Sequence, residues 1–175
     1  EGVLDKAKEL HDRLQATGLR VELDDRDTQS PGWKFNEWEL KGVPVRIEIG
    51  PRDIEKDQVV LVRRDNGEKE FIAIENLEDA TLDTIDAIQK GLLDKALKMR
   101  EDRTVSAKDM EEFKKGVERG FVKAMWCGSR QCEDAIREES GATARCIPFE
   151  QEEIDEKCIC CGDSAKHMVY FAKAY

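Results

Sequence analysis

Six cysteines, none before residue 127 and all within 127–161, constrain this chain more than any other feature of its sequence. They fall as Cys127, Cys132, Cys146, Cys158, Cys160 and Cys161. In a cytosolic chain such a cluster reads as a metal site before it reads as disulfides. Zinc takes four soft or borderline ligands in a tetrahedron, and Cys127-x4-Cys132 with Cys158-x2-Cys161 supplies two chelating pairs. A structural zinc on Cys127, Cys132, Cys158 and Cys161 is therefore expected. Cys160 stays open as an alternative to Cys161, giving C-x-C in place of C-x-x-C. Cys146 lies inside an apolar strand pattern and reads as packing. Four thiolates would close the coordination sphere, which leaves no position for hydrolytic chemistry. The only histidines, His11 and His167, read as surface or packing residues.

The break in cysteine usage also divides the chain. With 175 residues, 39% charged and 39% hydrophobic, the sequence supplies two modest cores more readily than one generous core. A half of about 70 residues gains from a metal staple. The boundary is expected near 103, giving domains 1–103 and 104–175. A net charge of −10 argues against loose nucleic-acid binding driven by phosphate neutralisation, but leaves room for a compact RNA site. No apolar run approaches the roughly 20 residues of a membrane span. The first residues are acidic and amphipathic, unlike a signal or transit peptide. A soluble, cytoplasmic protein is expected.

Periodicity fills in an α/β outline. Val3, Leu4, Ala7, Leu10 and Leu14 share one helical stripe, which Gly18 ends. Residues 20–23 read as a strand running into the charged loop 24–27. Ser30-Pro31-Gly32 turns the chain into a short helix over 33–41 that stops at Gly42. Strict alternation over 45–49 predicts a half-buried strand, and the run 59–62 predicts one covered on both faces. Asn66-Gly67 marks a hairpin turn with its return strand over 70–74. Leu82, Ile85, Ile88, Leu92, Ala96 and Met99 mark a long amphipathic helix from Thr81. A polar link follows over 100–104, then Ser106-x-x-Asp109 opens a helix as a capping-box variant with Met110, Phe113 and Val117 inward. A strand over 121–126, a helix over 131–139 ended by Gly141, and strands over 144–149 and 167–172 complete the pattern. The first helix has no strand ahead of it, so the pattern starts as if partway through a domain, with a sheet edge left to be paired or covered.

The segment from Pro31 to Asp53 carries the most functional information. Trp33, Phe35 and Trp38 crowd into six residues of an otherwise aromatic-poor chain. A helix packed on a sheet explains at least one of them. Glu39, Arg46, Arg52 and Asp53 are placed to gather at one sheet edge and meet unstacked bases, with Lys34 and Lys69 toward phosphate. In the plain alternative, Arg46 and Glu48 pair across a solvated strand surface.

PGWKFNEWELKGVPVRIEIGPRD resembles the anticodon-binding domain of prolyl-tRNA synthetases, and the tail segments GFVKAMWCGSRQCE, GATARCIPF, KCICCG and MVYFAKAY are similar to that family's C-terminus. The likeness runs in order along essentially the whole chain. It implies a mixed-sheet class IIa anticodon-binding domain, lacking its first strand, followed by a small α/β zinc domain. The zinc tail points to the archaeal/eukaryotic-like type of the family. In such enzymes both domains follow a class II catalytic domain, which uses ATP and Mg to activate proline and load tRNA(Pro), commonly as a homodimer. Nothing in these residues matches the ATP- or proline-binding motifs, so no catalytic residue is expected here. Glu39, Arg46, Arg52 and Asp53 match the family's anticodon site, and Cys127, Cys132, Cys158 and Cys161 its zinc ligands; the adjacent Cys160 departs from the usual pattern. In some similar enzymes a terminal tyrosine carboxylate, here Tyr175, reaches toward the active site. A free-standing RNA-binding accessory protein and a structural zinc module for protein contacts remain as alternative readings.

Overall fold

A computed structural model describes residues 2–174, which form two compact units divided between Asp94 and Lys95. The division falls earlier than the 103/104 boundary drawn from composition.

In the first unit, α1 (Val3–Ala16) buries Leu10 and Leu14, and Gly18, at φ +90°, lets the chain turn away where a Cβ would be strained. α2 (Pro31–Leu40) has Ser30 as N-cap, its side chain accepting from the Trp33 N–H, and Pro31 in the first turn. Three strands follow, β1 (Val45–Glu48), β2 (Gln58–Arg63) and β3 (Lys69–Ala73), with the short α3 (Pro51–Glu55) between the first two. The sheet is antiparallel in the order β1-β2-β3. Leu10, Leu14, Val59, Leu61, Ile72, Ile74 and Leu77 form its core, with Leu19, Val21, Val45 and Ile47 packed around them. A guanidinium clamp ties α1 to the start of α4 (Leu77–Asp102): Arg13 donates to both Glu78 carboxylate oxygens, at 2.6 and 2.7 Å, and to the Ile74 carbonyl at 2.9 Å.

Three expectations for this unit change. Residues 20–23 are not a strand. Val21 and Leu23 are half-buried and Glu22 exposed, so the alternation survives as packing. A ladder needs a neighbouring strand, and among the described residues this segment has none. The run 59–62 is largely but not wholly covered, because Val60 is only half-buried. Of the helical stripe from Thr81 only Ile88 is buried, and Leu82 is exposed. Leu77, Thr81 and Ile88 are buried, whereas Leu92 and Met99 are each more than half exposed. Length is the reason. A helix of 26 residues runs about 39 Å, while a six-residue strand offers about 20 Å to pack on.

The second unit holds β4 (Thr104–Ser106), α5 (Met110–Val117), β5 (Phe121–Trp126), α6 (Arg130–Ser140), β6 (Ala142–Cys146) and β7 (His167–Lys173). The sheet order is β4-β5-β7-β6, with β4 and β5 parallel and the other pairs antiparallel, so the mixed sheet of this α/β chain lies here. Phe113, Val117, Val122, Ala124, Ile136 and Phe171 make up much of the core. Phe113 and Phe171 meet edge to face at 5.3 Å between ring centres.

The polar link expected over 100–104 is absent: α4 runs to Asp102 and β4 begins at Thr104, whose hydroxyl donates to the Arg100 carbonyl. Ser106 belongs to β4, and the N-cap of α5 is Asp109, which accepts from the Glu111 and Glu112 N–H groups. Glu112 in turn reaches back to the Lys108 N–H. The helix is capped from both sides, but the N-cap sits three residues later than the Ser106 reading put it, and Glu112 takes the N–H of Lys108 rather than that of the cap itself. β6 starts at Ala142 and ends before Pro148, leaving Phe149 fully exposed. Cys146 is exposed rather than packed. The register between β6 and β7 slips between Ala144 and Cys146, and such an irregularity breaks the inward–outward alternation on which the packing reading rested.

Candidate functional site

Cys127 follows the last residue of β5, Cys132 lies in the first turn of α6, and Cys158 and Cys161 lie in the loop before β7. Their four sulfurs lie within 4.8 Å of one another. The Cys127 sulfur is 3.6 Å from that of Cys132 and 3.9 Å from that of Cys161. Four Zn–S bonds of about 2.3 Å in a tetrahedron place sulfurs about 3.8 Å apart. The donor set therefore fits a tetrahedral thiolate-bound ion. Cys160 is outside the set and packs against the hydrophobic core, an arrangement in keeping with Cys161 as the fourth sulfur.

Backbone bonds hold both halves of the cradle. Ile159 donates to the Met125 carbonyl and Lys166 to that of Trp126, which hangs the loop on the end of β5. Within the loop the Cys158 N–H donates to Asp163 and the Gly162 N–H to Cys158. Gly162, at φ +74°, supplies the left-handed residue that closes this turn. The Trp126 indole donates to the Ser129 carbonyl and so pins the turn that carries Cys127. Burial pushes the Cys132 thiol up. Burial also acts on Cys158, but hydrogen bonds from the Cys161, Cys160 and Cys127 backbone outweigh it and lower that thiol to about 7. His167 opens β7 beside Trp126 and is not among the clustered ligands; His11 hydrogen-bonds Asp12.

The second constellation lies in the first unit. The Arg46 guanidinium, on β1, donates to Glu39 at 2.7 Å and to Glu48 at 2.9 Å, and lies 4.1 Å over the Phe35 ring. Glu39 is nearly half exposed. An acceptor, a fork of donors and an aromatic face thus converge between α2 and β1. The Arg46–Glu48 pair of the plain reading is present too, so both descriptions apply to one side chain. Lys69 reaches Glu48 at 3.6 Å. Arg52 is exposed on α3 and makes no ion pair among the described residues. Asp53 is occupied locally: one oxygen accepts from the Gly50 N–H at 3.0 Å and the other from Gln58 at 3.3 Å, capping α3. Lys34 points into the protein toward Asp24, with its ammonium donating to the Asp24 carbonyl. Tyr175 lies outside the described residues.

Asp24 is the residue that sequence reasoning missed. It was one acid in a charged loop, yet it accepts from Arg26 at 2.6 and 2.8 Å and from the Trp38 indole at 2.8 Å. Those bonds, Arg26 foremost, hold its carboxyl far below the ordinary range against the opposing effect of burial. The one available signal was an acid upstream of a helix rich in tryptophan and lysine, which does not specify a contact.

Two family models match. One described as the anticodon binding domain covers residues 1–84, and one described as the C-terminal region of prolyl-tRNA synthetase covers residues 110–175. Among curated proteins, the chain is 58% identical to a proline–tRNA ligase of Alkaliphilus oremlandii and 56% identical to one of Ruminiclostridium cellulolyticum. A proline–tRNA ligase of Oceanobacillus iheyensis is 55% identical. Each alignment covers 100% of this chain and 36–37% of the relative, so the chain spans little more than a third of their length.

Proposed function

The chain belongs to the prolyl-tRNA synthetase family, and from that membership we propose that it is the anticodon-reading and zinc-holding C-terminal part of a proline–tRNA ligase. Residues 1–103 read RNA and residues 104–175 form the metal-stapled domain. The whole enzyme, of the archaeal/eukaryotic-like type and homodimeric, attaches proline to tRNA(Pro) through a catalytic domain that binds ATP and Mg outside these residues. The zinc tail supports that placement. The ion on Cys127, Cys132, Cys158 and Cys161 is zinc; closed by four thiolates, it supplies structure and no chemistry.

The convergence of Glu39, Arg46 and Phe35 carries the RNA reading. Proline anticodons share two adjacent guanines. A guanine offers N1–H and N2–H donors that one carboxylate accepts together, while its O6 and N7 suit a guanidinium. Glu39 is the acceptor and Arg46 the donor, with Phe35 as the face on which an unstacked base rests. Arg52, exposed on α3, is a second donor. Asp53 joins the site with the lone pairs left after capping α3. Lys69 meets phosphate; Lys34, turned toward Asp24, does so only by leaving that partner.

Binding of an anticodon stem–loop by Glu39→Gln, Arg46→Ala and Asp53→Asn tests this, with the native loop and with each guanine replaced. Loss of one bidentate contact costs roughly 1–3 kcal/mol and relaxes discrimination at one position. Lys69→Ala weakens all loops alike and lowers the salt dependence. If all three site variants keep full preference for both guanines, the site lies elsewhere.

A further inference from the structure

α2 buries no side chain completely, and its aromatic residues Phe35 and Trp38 are only half-buried. The loop over 24–27 has no strand partner either. What joins the two is a polar network. Asp24 takes two bonds from Arg26 and one from the Trp38 indole, and the Lys34 ammonium lies 3.6 Å from its carboxylate. Arg26 continues to Glu37 at 2.6 Å and lies over the Trp33 ring at 5.4 Å. Glu37 pairs with Lys41 at 2.8 Å. Residues 33, 34, 37, 38 and 41 recur at helical spacing and mark one side of α2. Phe35 and Glu39, four apart, mark another side, and both meet Arg46. The helix is held from two directions.

We propose that Asp24 is a positioning residue for RNA recognition: it fixes the roll of α2 and so presents Phe35 and Glu39 to the base. The inference rests on the base-reading function proposed for Glu39 and Arg46. A bidentate contact tolerates only fractions of an ångström, so a helix free to roll loses discrimination before it loses structure. Asp24 suits the task. Its carboxylate has lone pairs for all its donors at once, and the partly buried indole of Trp38 has only one hydrogen to give.

The test measures binding of an anticodon stem–loop carrying two adjacent guanines, against loops with either guanine replaced. The variants are Asp24→Asn, Trp38→Phe, Arg46→Ala and the double variant Asp24→Asn/Arg46→Ala. Circular dichroism and denaturant melting accompany each. Asp24→Asn is expected to reduce guanine discrimination roughly tenfold, within the range of one bidentate contact, with the fold retained. Trp38→Phe, which keeps the ring and removes the N–H, shifts it in the same direction. In the Arg46→Ala background the further effect of Asp24→Asn falls below about twofold, because the two act through one geometry. A merely structural role would instead weaken every loop alike and add fully to Arg46→Ala; that result overturns the inference. So does unchanged discrimination in Asp24→Asn and Trp38→Phe while Arg46→Ala abolishes it, an outcome that leaves the base-reading function standing. Unchanged discrimination in Arg46→Ala overturns the inference, and unchanged discrimination in Glu39→Gln and Asp53→Asn as well removes the base-reading function with it. Should Asp24→Asn fail to fold, Trp38→Phe decides.

Discussion

Removing the metal proposed for the cysteine cluster is the perturbation whose consequence can be worked furthest. The loop between β6 and β7, residues 147–166, contains one isolated bridge, Lys157 to Ser164, and no strand or helix. It hangs on β5 through Ile159 and Lys166, and Ile159 is buried in the core of this unit. A metal held by the four sulfurs would link this loop, through Cys158 and Cys161, to Cys127 and Cys132. A structural zinc contributes about 10–16 kcal/mol of apparent binding free energy near neutral pH. A unit of about 80 residues has only about 4–12 kcal/mol of net stability. Losing as little as 4 kcal/mol would lower Tm by roughly 15–30 °C, because each kcal/mol shifts a domain of this size by about 4–8 °C. Chelation is expected to unfold the second unit and largely spare the first. Metal content by mass spectrometry, calorimetry with and without strong chelator, and amide exchange at Val59 and Leu61 against Val122 and Phe171 report the two units separately. Cys132→Ser should reproduce the chelated state, whereas Cys146→Ser, at an exposed position outside the cluster, should change stability by no more than about 0.5 kcal/mol. Absence of near-stoichiometric metal, or an unchanged melt in chelator, refutes the reasoning.

Two glycines should respond with opposite signs. A Cβ on Gly120 would lie 2.4 Å from the Arg103 carbonyl oxygen, so Gly120→Ala must push β4 off β5 and cost about 1–3 kcal/mol; nothing lies within 4 Å of a Cβ on Gly91, inside α4, so Gly91→Ala should gain close to 1 kcal/mol, both read by urea denaturation. Acid should weaken the first unit. The hydrogen bond from Arg13 holds the Glu78 carboxyl below its ordinary range, and Arg26 does the same for Asp24, so their stabilisation is complete above the unfolded values near 4 and fades as pH falls below them. Urea midpoints from pH 7 to 3 should show this loss, and Arg13→Ala should flatten it; an equal acid limb in that variant rules out the clamp as a contributor.

The sequence by itself determined the elements with strong local signals. Ser30-Pro31 started α2, Gly18 and Gly141 ended helices, Asn66-Gly67 turned a hairpin, and the alternation over 45–49 made a strand; each depends on backbone preferences acting over a few residues. The four clustered cysteines were legible for a related reason: chelating pairs leave a spacing that only the ligands' own chemistry requires. Tertiary structure decided what depends on neighbours far along the chain. Residues 20–23 had a strand's alternation but no partner, and Leu92 and Met99 had a helix's apolar stripe but are left more than half exposed. Cys146 lost its place in the core to a register slip, and Asp109 displaced Ser106 as the cap. Asp24 shows the limit most clearly. Its carboxylate meets Trp38, fourteen positions away, and a side-chain hydrogen bond across a loop leaves no period or spacing in the sequence. Local propensity is written residue by residue, whereas a partner is chosen only when the chain has closed on itself.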